Sequence, residues 1–110
     1  MRNARSRATA CAALMFVTAL SAYGCGGPSE RQTTIQSYAY QDPALTVSKG
    51  TLITWTNLDG EFHDVVSDDG RFMSKGLRRT QTFSQRFDEA GTFGYYCSIH
   101  PSMKATVAVQ

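Results

Sequence analysis

The sequence contains no unbroken apolar run of about 18 residues, so it offers no ordinary membrane-spanning helix. Charge is sparse. Eleven Lys and Arg stand against nine Asp and Glu in 110 residues, a formal net charge of +2. The excess has one source, since Arg2, Arg5 and Arg7 all lie near the N-terminus. Residues 26–110 hold eight basic and nine acidic residues, a net charge of −1. A near-neutral chain without a basic cluster argues against nucleic acid as a partner. Cysteine is scarce too: Cys11 and Cys25 belong to the first 25 residues, which leaves Cys97 alone in the body of the chain. One cysteine makes no internal disulfide, and in an exported domain its sulfur needs another partner. No segment after residue 30 carries an apolar stripe of helical period, and no internal repeat is present. What is there is 42% hydrophobic and 18% charged. That is enough apolar surface for one small folded domain rather than a disordered chain.

The N-terminus reads as an address. Residues 2–7 (RNARSR) are basic, and residues 10–20 (ACAALMFVTAL) are apolar. Small residues and Cys25 follow, which completes the basic, apolar and cleavage regions of a secretory signal over residues 1–24. Ser21-Ala22-Tyr23-Gly24-Cys25 resembles a bacterial lipobox, in which the cysteine is lipidated and becomes the new N-terminus. Ala22-Tyr23-Gly24 also suits ordinary signal-peptidase cleavage, which would leave Cys25 as a free thiol. A free exposed thiol is a liability in an oxidising compartment, and this favours lipidation. Residues 25–32, with Gly26-Gly27-Pro28-Ser29, read as a tether that would hold the protein to a membrane through Cys25.

From Thr33 to Gln110 the apolar period is two. Leu45 and Val47 alternate with polar neighbours, and Ile53 and Trp55 continue the parity beyond Lys49-Gly50. Phe83, Gln85 and Phe87 share one face; Phe93, Tyr95 and Cys97 another; Val107 and Val109 a third. Turn residues stand at Ser48-Lys49-Gly50, Asn57-Leu58-Asp59-Gly60, Asp68-Asp69-Gly70 and Asp88-Glu89-Ala90-Gly91. Short, regularly punctuated strands predict an all-β sandwich or barrel. Trp55 and Tyr38 are expected in the core or at its edge, Met73 at the surface or a strand end, and Lys75, Arg78 and Arg79 on a solvated face.

The chemistry concentrates in Cys97-Ser98-Ile99-His100-Pro101-Ser102-Met103, where thiol, imidazole and thioether recur at every third residue. His63 supplies a second imidazole from elsewhere in the chain. A thiolate, two imidazoles and a weak axial thioether form a ligand set used for electron-transfer copper. Soft sulfur favours Cu(I), and imidazole accepts both oxidation states. Zinc would bind Cys and two His as well, but the Irving–Williams order favours copper.

These residues, with Val47–Asn57 (VSKGTLITWTN), His63-Asp64-Val65, Phe87–Gly91 and Tyr95-Tyr96-Cys97, resemble the cupredoxins, the small blue copper proteins. The amicyanin and plastocyanin branch is the most similar, and the Cys-x-x-His-x-x-Met spacing is amicyanin-like. The resemblance covers nearly all of residues 33–110. It implies a Greek-key β-sandwich with one copper at one end, held by His63, Cys97, His100 and Met103. It further implies a monomer that passes single electrons between redox partner proteins outside the cytoplasmic membrane, without enzymatic activity. The His100 edge would serve as the electron port, and Tyr96 could offer a second. The binuclear copper centre of cytochrome oxidase shares the fold but needs two loop cysteines, and this loop has one. A copper carrier of the cell envelope is the alternative, although the extra Met or His tracts of such proteins are missing. Two departures stand out. Asp64 replaces the usual Asn, Thr or Ser and is expected to accept from Ser98. Phe93 stands where relatives often have a tyrosine hydroxyl.

Overall fold

The computed structural model describes residues 29–110. The expected signal, Cys25 and the first half of the expected tether lie outside them. Eight strands form, and no helix is present among the described residues: β1 (Glu30–Gln36), β2 (Ala39–Tyr40), β3 (Ala44–Val47), β4 (Thr51–Asn57), β5 (Val66–Ser67), β6 (Thr82–Phe87), β7 (Gly91–Tyr96) and β8 (Lys104–Val109). They make two four-stranded sheets, ordered β2-β1-β4-β6 and β3-β8-β7-β5. The fold is the predicted all-β, cupredoxin-like Greek-key sandwich.

Alternation explains the strands. Leu45, Val47, Ile53, Trp55, Val107 and Val109 all face inward, as their period of two requires. Gly50 makes the turn into β4 with a φ of 89°, a left-handed conformation that a side chain would strain. Sandwiched between the sheets, Trp55 is fully buried. It stacks on Phe72 and Phe83 and meets Phe87 and Tyr95 edge-on. Its Nε1 donates to Tyr95 Oη at 3.2 Å, so the one polar atom of the indole is satisfied.

One boundary differs from expectation. β1 begins at Glu30, not Thr33, and residues 30–32 pair in parallel with Leu52–Thr54 of β4. Their side chains are exposed. The ladder here rests on backbone hydrogen bonds, which leave no apolar trace in the sequence.

The same sheets position the site. β4 ends at Asn57 and releases the chain into the loop that carries His63. β7 ends at Tyr96, so Cys97 emerges from the centre of the second sheet, flanked by β8 and β5.

Candidate metal centre

His63 lies on no named strand, yet its backbone is fixed on both sides. Its N–H donates to Leu77 O at 3.3 Å, and its carbonyl accepts from Leu77 N at 2.7 Å. Asn57, fully buried, braces the same loops: Nδ2 donates to Glu61 O at 2.9 Å and to Leu77 O at 2.7 Å. Across the sandwich, the Cys97–Met103 loop closes on itself. Cys97 N donates to Met103 O at 3.1 Å, and Met103 N to His100 O at 2.9 Å.

This framework brings three of the four expected residues together. Cys97 Sγ lies 3.9 Å from His63 Nδ1 and 3.8 Å from His100 Nδ1. All three donor atoms fall within 4.8 Å of one another. His63 and Cys97 are fully buried and His100 partly so. Met103 ends the loop, buried against the core.

The donor set passes a simple test of fit. Zinc-like bond lengths, about 2.3 Å to sulfur and about 2.0 Å to nitrogen, place S and N about 3.7 Å apart around a trigonal ion. The two sulfur–nitrogen separations here are close to that. A thiol and two imidazoles suit copper, with soft and borderline donors combined.

Asp64, beside His63, joins the two halves of the site. Its carboxylate accepts from Ser98 N at 2.7 Å and from Ser98 Oγ at 2.5 Å, as the sequence suggested. Its carbonyl accepts from Tyr40 Oη at 2.6 Å. The loop that begins at Cys97 and the loop that carries His63 are thus tied beside the donor atoms.

A sequence profile of copper binding proteins of the plastocyanin/azurin family matches residues 29–110. The chain belongs to this family. It is 33% identical to amicyanin-alpha of Methylorubrum extorquens over 84 residues, 72% of this chain and 71% of that protein. Plastocyanin of Scenedesmus fuscus is 30% identical over 84 residues, 64% of this chain and 86% of the relative. Among solved structures, a reduced amicyanin variant superposes with a TM-score of 0.67 at 30% identity, covering 72% of this chain and 80% of its own. A purple cupredoxin from Nitrosopumilus maritimus gives 0.66 at 31% identity, covering 73% and 99%. Copper is accordingly the ion of this cupredoxin.

Tyr38 corrects an expectation. It is half exposed, not a core aromatic. Its ring stands edge-on to His63 at 5.2 Å and to His100 at 4.9 Å between centroids. Two further residues of this cupredoxin site escaped the sequence reading. Asn57 and Asp59 were legible only as turn formers. Asp59 Oδ2 lies 2.8 Å from His63 Nε2. Burial pushes the Asp59 carboxyl up, but the amides of Tyr38 and Ser37 and the His63 ring outweigh it and hold it below its usual value. The available signal was an acid four residues before a candidate ligand histidine.

Proposed function

We propose that this cupredoxin is an exported, mononuclear type 1 copper protein that shuttles single electrons between partner proteins. His63, Cys97 and His100 would hold the copper through two imidazole nitrogens and a thiolate, and Met103 would add a weak thioether donor. The observation that carries this reading is the convergence of one buried thiol and two imidazole Nδ1 atoms. Copper bound there supplies one-electron exchange between its two oxidation states. The protein's part is to hold the donors. Leu77 fixes the His63 backbone, and the closed loop fixes Cys97, His100 and Met103. Neither oxidation state then requires large rearrangement. On this reading the protein acts as an electron carrier and not as an enzyme.

The surface supports a docking end. Tyr38, Phe62 and Ile99 are exposed apolar residues. Phe62 adjoins His63, Ile99 adjoins His100, and Tyr38 touches both rings. A redox partner seated on this rim meets the partly exposed His100, the proposed electron port. Residues 1–24 act as the export signal, with lipid carried on Cys25 and a short tether leading to Glu30.

Adding Cu(II) tests the reading. An intense blue charge-transfer band should appear and bleach on reduction. Copper should then survive repeated reduction and reoxidation with a moderate Cu(I) chelator present. Loss of metal at every reduction would mark a copper carrier instead.

A further inference from the structure

The Asp59 carboxylate does more than shape a turn. It accepts three hydrogen bonds: from Ser37 N at 2.7 Å on Oδ1, from Tyr38 N at 2.8 Å on Oδ2, and from His63 Nε2 at 2.8 Å on Oδ2. Its own amide donates to Asn57 Oδ1 at 2.9 Å, which ties the loop to the end of β4. The side chain is only 13% exposed; its bond to the fully buried His63 is the sheltered one, whereas those from Ser37 N and Tyr38 N lie at the exposed rim.

Two consequences follow from the chemistry of a carboxylate. An ionised carboxylate only accepts, so the His63 proton resides on Nε2. The lone pair is then on Nδ1, the atom 3.9 Å from Cys97 Sγ. The second consequence concerns the cap. Ser37 and Tyr38 both adopt left-handed backbone, with φ of 56° and 57°. Each such residue costs roughly 1–2 kcal/mol when it is not glycine. Two hydrogen bonds to one charged acceptor, from Ser37 N and Tyr38 N, offset part of this cost and favour the turn. The turn carries the Tyr38 ring onto both histidines, whose own rings are 4.9 Å apart.

We propose that Asp59 is a positioning residue of the metal centre: one carboxylate sets which nitrogen of His63 faces Cys97 and clamps the Ser37–Tyr38 turn, so that Tyr38 covers both histidines. This rests on the reading of His63 as a ligand. The exposed cap and the buried ligand are thereby coupled through a residue that need not touch the metal. A turn former without this role would leave the tautomer of His63 and the position of Tyr38 indifferent to its charge.

The test uses the full-length protein with Asp59→Ala and Asp59→Asn, first metal-free and then copper-loaded. Nitrogen-resolved NMR of the metal-free wild type should show His63 as a single Nε2–H tautomer. Ring-current shifts from Tyr38 should appear on both histidines. Asp59→Ala should mix the tautomers and abolish those shifts. Asp59→Asn keeps the shape but replaces one acceptor oxygen with a donor. Amide exchange at Ser37 or Tyr38 should then accelerate at least about tenfold, as the loss of one charge-assisted bond requires. In the loaded protein, both variants should have a higher reduction potential, because a negative charge hydrogen-bonded to the ligand imidazole favours Cu(II). Unchanged tautomer and ring shifts in a folded Asp59→Ala protein overturn the proposal. So do unchanged amide exchange and potential in Asp59→Asn, which guards against a misfolded alanine variant. If the wild type takes up no copper while the metal-free results hold, the copper reading falls and the Asp59 clamp stands.

Discussion

Cys97 is fully buried where β7 ends, and its sulfur is shared between two imidazoles rather than a second cysteine. A thiolate there would give copper a soft, covalent bond that no hydroxyl reproduces. Cys97→Ser should therefore abolish the blue band, read from the visible spectrum after Cu(II) addition. A blue mutant would remove Cys97 from the ligand set. Met103 is the complementary case. Met103→Gln should keep copper but lower the reduction potential, since a harder axial oxygen favours Cu(II). Voltammetry that finds no change would remove Met103 from the proposed ligand set. Both residues stand out as candidates in the sequence because a thiol, an imidazole and a thioether crowd one heptapeptide. Tyr38, Asn57 and Asp59 do not, because their partners lie on other elements. Asp59 reaches amides 21 and 22 residues away, and no local pattern announces a bond of that span.

At the level of elements, side-chain alternation was readable wherever one face is buried. β3, β4 and β8 show it cleanly. It fails where strands are very short or held by backbone alone. β2 and β5 have two residues each, too few to display a period. The Ser37–Tyr38 connection between β1 and β2 lacks the Asn-Gly or Gly-containing pair that usually marks a tight hairpin. Its conformation comes from Asp59 instead. Asn57 is the joint between these elements and the site. Asn57→Ala would leave the Glu61 carbonyl and the Asp59 amide without their partner, and the Leu77 carbonyl with His63 N alone. With buried groups costing about 1–3 kcal/mol each when unpaired, the loss should reach at least about 2 kcal/mol. Denaturant unfolding of the metal-free protein measures it. A change under about 0.5 kcal/mol, the range of ordinary surface substitutions, would mean that the loops hold without Asn57.

For the whole molecule, location and stability make separate demands. If Cys25 carries lipid, Cys25→Ala should shift the protein from membrane to soluble fractions. Equal fractionation of mutant and wild type would favour simple secretion. Stability turns on two tyrosines packed edge-on in the interior, Tyr40 and Tyr95, with ring centroids 4.8 Å apart. Burial pushes the Tyr95 phenol from 10.0 up to about 12, outweighing the Trp55 hydrogen bond, which favours the phenolate. Burial acts first on Tyr40 too and raises it, with the charges near Cys97, Tyr95 and Asp64 adding in the same direction. A raised folded value means that the native state keeps a proton the unfolded chain has already released. This stability is complete below pH 10 and is lost as the pH rises towards 12. For Tyr95 alone a shift of this size is worth about 2–3 kcal/mol. For a domain of this size that corresponds to a fall of about 10 °C or more in the melting temperature. Melting the metal-free protein from about pH 8 to about pH 11.5 should show a flat region followed by a steep decline above pH 10. The phenolate absorbance of Tyr40 and Tyr95 should emerge only with unfolding, because the closed sandwich admits no water to solvate either anion. Ionisation of all four tyrosines in the described domain near pH 10, with the fold intact, would mean that this interior opens far more readily than its packing implies.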